Sequence, residues 1–275
     1  MSTASPSVSV VLPVRDGGPF LREAVESVLA QTLSSLELVV VDDGSSDETP
    51  AILASVGDSR LKVLRQEPRG LVEALNRGAG AARAPYLARM DADDGSLPRR
   101  LELQVAVLDV DPAAGLVGCG IERMDEAGRA LDSWLLPADD EALRRRLLLR
   151  NPFAHGSVVI RRRAFDDAGG YRSDYGANED YDLWRRIARD WALVAVPEVL
   201  YRYREHPSAV TKTDVAQRVA SRERLRDELW REPGLVGALQ GERDRAEARA
   251  LMREAVTRRR PRLAATALRN VLSAH

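Results

Sequence analysis

One cysteine, three histidines and two lysines occur in 275 residues, and each scarcity excludes something. A single thiol, Cys119, forms no intramolecular disulfide, so a stapled secreted scaffold is excluded and a reducing cytoplasm is the expected compartment. The histidines (His155, His206 and His275) make no H-E-x-x-H arrangement, and without a cysteine pair a zinc site lacks its ligands. Gly-rich phosphate loops are missing as well. Asp16-Gly17-Gly18 fits neither the dinucleotide fingerprint nor the P-loop, which argues against hydride transfer and P-loop chemistry. Ser157 lacks the G-x-S-x-G elbow of serine hydrolases. No stretch approaches eighteen apolar residues. The run Val8 to Val14 stops at Arg15 and Asp16, and the residues before it carry no basic segment, so neither a membrane span nor a leader peptide is expected. Peripheral attachment at the inner face of a membrane stays open. Lys and Arg total 41 against 42 Asp and Glu, a net charge of -1, so there is no basic field and nucleic acid is not an expected partner.

What is present reads as a globular α/β chain. Hydrophobic residues make up 44% and charged residues 30%, which suits one large domain or two small ones and does not suit disorder. Val8 to Val14 and Leu38 to Val41 are short, almost wholly apolar and β-branched, the pattern of strands covered on both faces. Leu61 to Leu64 predicts a third strand nearer an edge, and Pro85 to Met90 a fourth. Helices fit between them, over Leu21 to Leu29, around Ile52 and Leu53 with Ser45 or Ser46 as cap, and over Leu71 to Ala81. Strand and helix units in this order predict a mostly parallel, Rossmann-like sheet with helices on both faces and ligands beyond the carboxyl ends of the strands. Asp42-Asp43 and Asp91-Ala92-Asp93-Asp94 fall there.

Further along, strands are expected over Gly115 to Ile121, Leu131 to Leu136 and Ser157 to Ile160, with helices over Asp139 to Arg150 and Glu179 to Ile187. Two runs flanking Pro197-Glu198, Ala192 to Val196 and Val199 to Tyr203, are expected to pair antiparallel. From residue 221 the composition shifts: thirteen Arg face eight Asp and Glu, so this segment carries +5 and residues 1–220 carry -6. The predicted organisation is a main domain over 1–220, split near residue 95 into two halves, and a helical extension over 221–275. Amphipathic helices there, interrupted at Pro233-Gly234 and Pro261, would pack as a pair or provide a self-associating or membrane-facing surface.

Four groups could carry chemistry, and each has a plain structural alternative. Three carboxylates in Asp91-Ala92-Asp93-Asp94 repel one another unless a cation or hydrogen bonds compensate. They read as hard oxygen ligands for Mg²⁺ or Mn²⁺, or as a solvated loop before the next helix; if the chain is still extended there, Asp91 and Asp93 point to the same side. Asp42-Asp43 reads as a contact to a base or ribose, or as a turn. Glu179-Asp180 stands at a helix start, where acids complement the dipole, or at a cleft edge, where one can deprotonate a hydroxyl. His155 and His206 sit beside strands in polar surroundings, as ligands or as ordinary loop histidines.

Taken together, five ordered blocks resemble family 2 glycosyltransferases. They are Val8 to Gly17 followed by Ala30-Gln31-Thr32 and Leu38 to Thr49; Arg89-Met90-Asp91-Ala92-Asp93-Asp94; Asn151 to Ser157; Glu179-Asp180-Tyr181-Asp182-Leu183-Trp184; and Tyr201 to His206. The resemblance spans roughly residues 7–210 and implies a GT-A fold with inverting transfer from a nucleoside-diphosphate sugar. Carried over by position, it implies that Pro13 and Asp43 line the base and ribose site, Asp43 against uracil or thymine. Arg69 adds charge near the base or phosphate. Asp91 and Asp93 would hold Mn²⁺ or Mg²⁺ against the diphosphate, His206 would complete the metal or phosphate environment, and Asp180 would be the general base.

The partners so implied are a UDP- or dTDP-linked sugar and a saccharide or lipid-linked acceptor, in cell-envelope or extracellular polysaccharide synthesis. The C-terminal helices fall outside the shared pattern and are free for oligomer contacts. A non-catalytic nucleotide-sugar-binding module would keep Asp43 and could dispense with Asp180. A nucleotidyltransferase would need a Gly-rich basic loop where this chain has Arg15-Asp16-Gly17-Gly18-Pro19.

Overall fold

A strand covered on both faces has no polar side to show, and β1 (Val8–Val14) and β2 (Leu36–Asp42) are buried along their whole length. They lie at the heart of a computed structural model that describes residues 5–207 and 215–229. Alternate side chains of β1 enter two cores: Val8, Val10, Leu12 and Val14 pack with α1 (Gly18–Leu29) and α4 (Arg100–Val110) on one side. On the other side Val11 packs with α3 (Leu71–Ala81), α6 (Arg162–Asp167) and α7 (Glu179–Asp190). The short helix α2 (Thr49–Ala54) packs beside α1.

The remaining strands are β3 (Leu61–Arg65), β4 (Tyr86–Arg89), β5 (Gly95–Ser96), β6 (Ala114–Met124), β7 (Ala130–Trp134), β8 (Val159–Arg161) and β9 (Ala192–Arg204). The order across the sheet is β3-β2-β1-β4-β8-β6-β9-β5, with β7 hairpinned onto β6. The first four strands in this order are mutually parallel, and β6 and β9 are parallel to each other. β8 runs antiparallel between β4 and β6. This is the doubly covered, mostly parallel sheet that the sequence predicts. Val14 stands opposite Asp42 and Val11 opposite Arg89, so the chain leaves β1, β2 and β4 along one edge and delivers both acidic segments to it. No helix among the described residues is long and apolar enough to cross a membrane.

Two local expectations need correction. Neither Ser45 nor Ser46 caps α2; Glu48 occupies that position without a side-chain cap. Ser45 instead accepts the Asp16 N–H at 3.0 Å, because the two strand-end loops clasp each other. The runs either side of Pro197-Glu198 are also not an antiparallel pair, but one strand, β9, running parallel to β6. Cys119 pairs with Val196 and Gly120 with Val199, so Pro197 and Glu198 form a bulge, where a residue without an N–H leaves no gap in the ladder. Gly120 makes room for it, since a Cβ there would lie 2.7 Å from the Glu198 carbonyl oxygen. At the C-terminal end, α8 (Val215–Leu229) crosses residue 221 and buries Leu225 in the core. The helices expected around Pro233-Gly234 and Pro261 lie outside the described residues.

Candidate active site

A cleft of about 1190 Å³ opens along the carboxyl edge of the sheet, and Pro13, Asp43, Asp91, Asp93, Asp180 and His206 all line it. Arg69 does not. Its backbone N–H faces Asp43, while its side chain borders a separate depression with Gln66, Glu73 and Arg77.

On the nucleotide side, Asp43 follows β2 and organises the next loop. Its Oδ1 accepts from Gln66 Nε2 at 2.6 Å and from the Arg69 N–H at 2.8 Å, and its Oδ2 accepts from the Gly70 N–H at 2.8 Å. Burial pushes this carboxyl up, but those hydrogen bonds, led by the Arg69 N–H, outweigh it and hold the group below the ordinary carboxylate range. The loop after β1 is tied across to the loop after β2 in the same manner. Asp16 Oδ1 accepts the Ser46 N–H at 2.7 Å, and Thr49 Oγ1 accepts the Gly17 N–H at 2.9 Å. Asp16 adopts a left-handed backbone with φ of 52° to make this turn.

The three acids after β4 part company. The strand ends at Arg89, so the extended geometry that would align Asp91 with Asp93 is not present. Asp91 Oδ1 is 2.7 Å from Nη2 of buried Arg89. Asp93 Oδ2 is 2.9 Å from His206 Nε2, and the His206 ring rests on Phe20 with centroids 5.0 Å apart. Asp94 is a buried strut: it accepts from Tyr201 Oη and from the Arg204 N–H, each at 2.7 Å. Burial first, then Asp91 and Asp93, push its pKa well above the usual range. Arg204 closes the loop by donating to the Asp93 carbonyl at 2.8 Å.

A turn of 3-10 helix, His155–Ser157, presses against this acidic loop. Arg100, fully buried and stacked over the Tyr201 ring, donates to the Gly156 carbonyl at 2.5 Å and the Arg89 carbonyl at 3.1 Å, binding the two segments together. Only glycine fits at 156, because a Cβ would fall 1.7 Å from Tyr201 Oη and 2.5 Å from Asp91 Oδ2.

Asp180 enters the cleft from the first turn of α7. Its Oδ2 accepts from Asn151 Nδ2 at 2.6 Å and its Oδ1 from the Tyr181 N–H at 2.6 Å. Burial raises its pKa to about 6 against the pull of those donors, and the Asp91 charge adds to the rise. The neighbouring Glu179 is pushed up to about 8 by burial and then by Asp180. It lies 3.5 Å from His155 Nδ1, whose other nitrogen meets Tyr171 Oη at 2.9 Å. Burial, then Arg89, depress His155 well below its ordinary pKa, so it is a neutral member of this network. Sequence reading attached no role to Asn151, Arg89 or Tyr201, although all three lie inside the quoted blocks.

Among the described residues no group of three or more His, Cys, Asp and Glu side chains is arranged to hold a metal ion. The donor chemistry nevertheless fits a divalent cation whose shell is completed by phosphate and water. Asp93 and His206 offer one carboxylate and one imidazole nitrogen 2.9 Å apart. Adjacent ligands of an octahedral cation with bonds of about 2.1 Å are separated by about 3 Å, and such ions are commonly held by one or two protein groups plus phosphates.

The profile described as Glycosyl transferase family 2 matches residues 9–169. An uncharacterized glycosyltransferase of Rickettsia prowazekii is 32% identical over 220 residues, covering 78% of this chain and 68% of that protein. The amylovoran biosynthesis glycosyltransferase AmsE of Erwinia amylovora is 32% identical over 210 residues, covering 75% and 78%. An uncharacterized glycosyltransferase of Rickettsia felis is 33% identical, but only 35% of its length is matched. Among solved structures, Staphylococcus aureus TarS 1–349 in complex with UDP-GlcNAc superposes with a TM-score of 0.67 at 15% identity, covering 98% of this chain and 92% of that one. The mannosyltransferase PcManGT of Pyrobaculum calidifontis, in complex with GDP-Man and Mn²⁺, superposes at 0.60 with 22% identity, covering 99% and 89%. At those identities the structures speak for the GT-A fold alone. The sequence matches, set on a sheet whose carboxyl edge gathers Asp43, Asp93, His206 and Asp180 into one cleft, make this chain a member of glycosyl transferase family 2.

Proposed function

We propose that this protein is an inverting glycosyltransferase. It moves a sugar from a UDP- or dTDP-linked donor to a hydroxyl of a saccharide or lipid-linked acceptor, in the cytoplasm, during cell-envelope or extracellular polysaccharide synthesis. One observation carries the reading: Asp180, a half-buried carboxylate with a pKa raised to about 6, shares a cleft with the Asp93–His206 pair and the strand-end Asp43. The amylovoran biosynthesis role of the Erwinia relative supports the polysaccharide assignment. UDP-GlcNAc in TarS supports a nucleotide-sugar donor, and Mn²⁺ in the mannosyltransferase supports a divalent cation.

Asp43, held ionised by its three donors, takes the N–H edge of uracil or thymine beside Pro13. Asp93 and His206 would hold Mn²⁺ or Mg²⁺, and Asp91 is tethered by Arg89 in the same acidic loop. When bound, the cation offsets the negative charge that develops on the departing diphosphate. Asp180 accepts the acceptor's hydroxyl proton while the oxygen attacks the anomeric carbon opposite the leaving group, so the C–O bond to phosphate breaks with inversion. A carboxylate with a pKa near 6 is a weak base, but the hydroxyl becomes acidic as its oxygen bonds to carbon, and a base poised near neutrality serves best. Arg69 contributes its backbone N–H to the Asp43 turn. The test is a thermal-shift screen of nucleoside diphosphates with Mn²⁺, followed by NMR of the anomeric configuration formed from the matching nucleotide sugar. Retention of configuration, or donor binding without any hydrolysis or transfer, would refute the reading.

A further inference from the structure

Among the described residues five arginines line the cleft, and three of them are spoken for. Arg15 lies 4.0 Å from Asp16, Arg89 is 2.7 Å from Asp91, and Arg123 is paired with both Asp132 and Glu205. The other two, Arg146 and Arg150, have no acidic or hydrogen-bonding side-chain partner among the described residues.

Their placement follows from how α5 (Asp140–Leu149) is anchored. Asp139 caps its start by accepting the Ala142 N–H at 2.8 Å, and Leu143, Leu147 and Leu148 are buried in the core. Arg144 is consumed by Asp140 at 2.6 Å and by the Trp191 carbonyl at 2.9 Å, and Arg145 pairs with Glu141 at 2.9 Å. Arg146 lies in the last turn of the helix and Arg150 is the extended residue that ends it, and both line the cleft. Asn151, which holds Asp180, comes next in the chain. Both arginines thus line the cleft from the segment that holds Asp180, while Asp43 follows β2, Asp93 follows β4 and His206 follows β9.

We propose that Arg146 and Arg150 form a phosphate subsite, and that the acceptor carries a phosphate group close to the hydroxyl that is glycosylated. The inference rests on the glycosyl-transfer reading and names the class of acceptor. Two guanidiniums supply paired N–H forks and two positive charges, which match a phosphate better than a neutral saccharide. In the proposed function the donor's diphosphate is met by a cation at Asp93 and His206, so it leaves these arginines free for a second phosphate. Trp134 and Leu135, both exposed, line the same cleft and give it an apolar surface.

Calorimetric titration of the full chain tests this, with the donor half both free and saturated by the nucleoside diphosphate that stabilises it in Mn²⁺. Octyl phosphate below its micelle concentration, inorganic phosphate and octyl glucoside are the probes. Octyl phosphate is expected to bind about tenfold or more tighter than octyl glucoside. R146Q/R150Q should abolish that preference, R146K/R150K should retain part of it, and both should keep the parent melting temperature and nucleotide affinity. If octyl phosphate also surpasses inorganic phosphate, the acceptor's phosphate is lipid-linked. If the two bind alike, the phosphate belongs to a soluble or polymeric acceptor. Equal binding of octyl phosphate and octyl glucoside, or a preference that survives in R146Q/R150Q, overturns the proposal. So does loss of nucleotide affinity in that variant, which would assign the arginines to the donor. If no nucleoside diphosphate binds, the transferase reading fails separately, because the free protein still reports on the phosphate subsite.

Discussion

The Asn151 side-chain amide donates to Asp180 Oδ2 across 2.6 Å, joining the loop after α5 to the first turn of α7. The Asp180 carboxylate is thus oriented by Asn151 and by the Tyr181 N–H, while burial raises its pKa to about 6. Asp180→Asn should lower kcat by about 10³-fold or more, while nucleoside-diphosphate affinity stays within about twofold. Measuring both on one preparation decides it, and near-normal turnover would remove Asp180 from the mechanism.

The same shift fixes a pH dependence. Asp180 accepts a proton only when ionised, so its active form predominates above pH 6 and is lost as the pH falls through that value. The rate should fall about tenfold per pH unit on the acid side and level off above pH 7. A pH–rate profile flat between pH 5 and 7 would contradict the assignment.

Asn151→Ala removes a donor that lowers the Asp180 pKa. A hydrogen bond to a charged group is worth about 1.5–3 kcal/mol, which corresponds to a loss of about 10–100-fold in kcat. The acid limb should also move upward. An unmoved limb with a reduced rate would make Asn151 a support for the loop and nothing more.

For the Asp93–His206 pair, Asp93→Ala and His206→Ala should each remove most of the gain that Mn²⁺ confers on nucleoside-diphosphate binding, about tenfold or more. Calorimetry with and without Mn²⁺ checks this. Affinity that stays dependent on Mn²⁺ in both variants would move the cation elsewhere in the cleft.

Gly156→Ala forces a methyl group against Tyr201 Oη and Asp91 Oδ2. Overpacking of this kind costs about 1–3 kcal/mol or more, so the melting temperature should drop by several degrees and activity should fall with it. A variant with parental melting and turnover would show that the 3-10 turn can shift without consequence.

Much of this architecture is legible in the chain itself. The unbroken apolar runs of β1 and β2 leave no exposed face, so burial between two helical layers follows from composition alone. The acids that follow such strands must then stand along one edge. The same local logic misled at Pro197-Glu198, where a proline followed by an acid reads as a turn. Only the long partner strand β6, with Gly120 opposite the bulge, lets the chain run straight through.

What the sequence by itself determined is the doubly covered sheet, the edge on which function lies, and the family, since these follow from hydrophobic periodicity and from short ordered motifs. The division of labour among the acids was decided only by the tertiary structure. Asp91, Asp93 and Asp94 are chemically alike and nearly adjacent, yet one pairs with Arg89, one faces His206 and one is buried against Tyr201 and Arg204. Partners for Asp93 and Asp94 arrive from more than a hundred residues away, and a carboxylate's pKa and task depend on the groups that surround it in space.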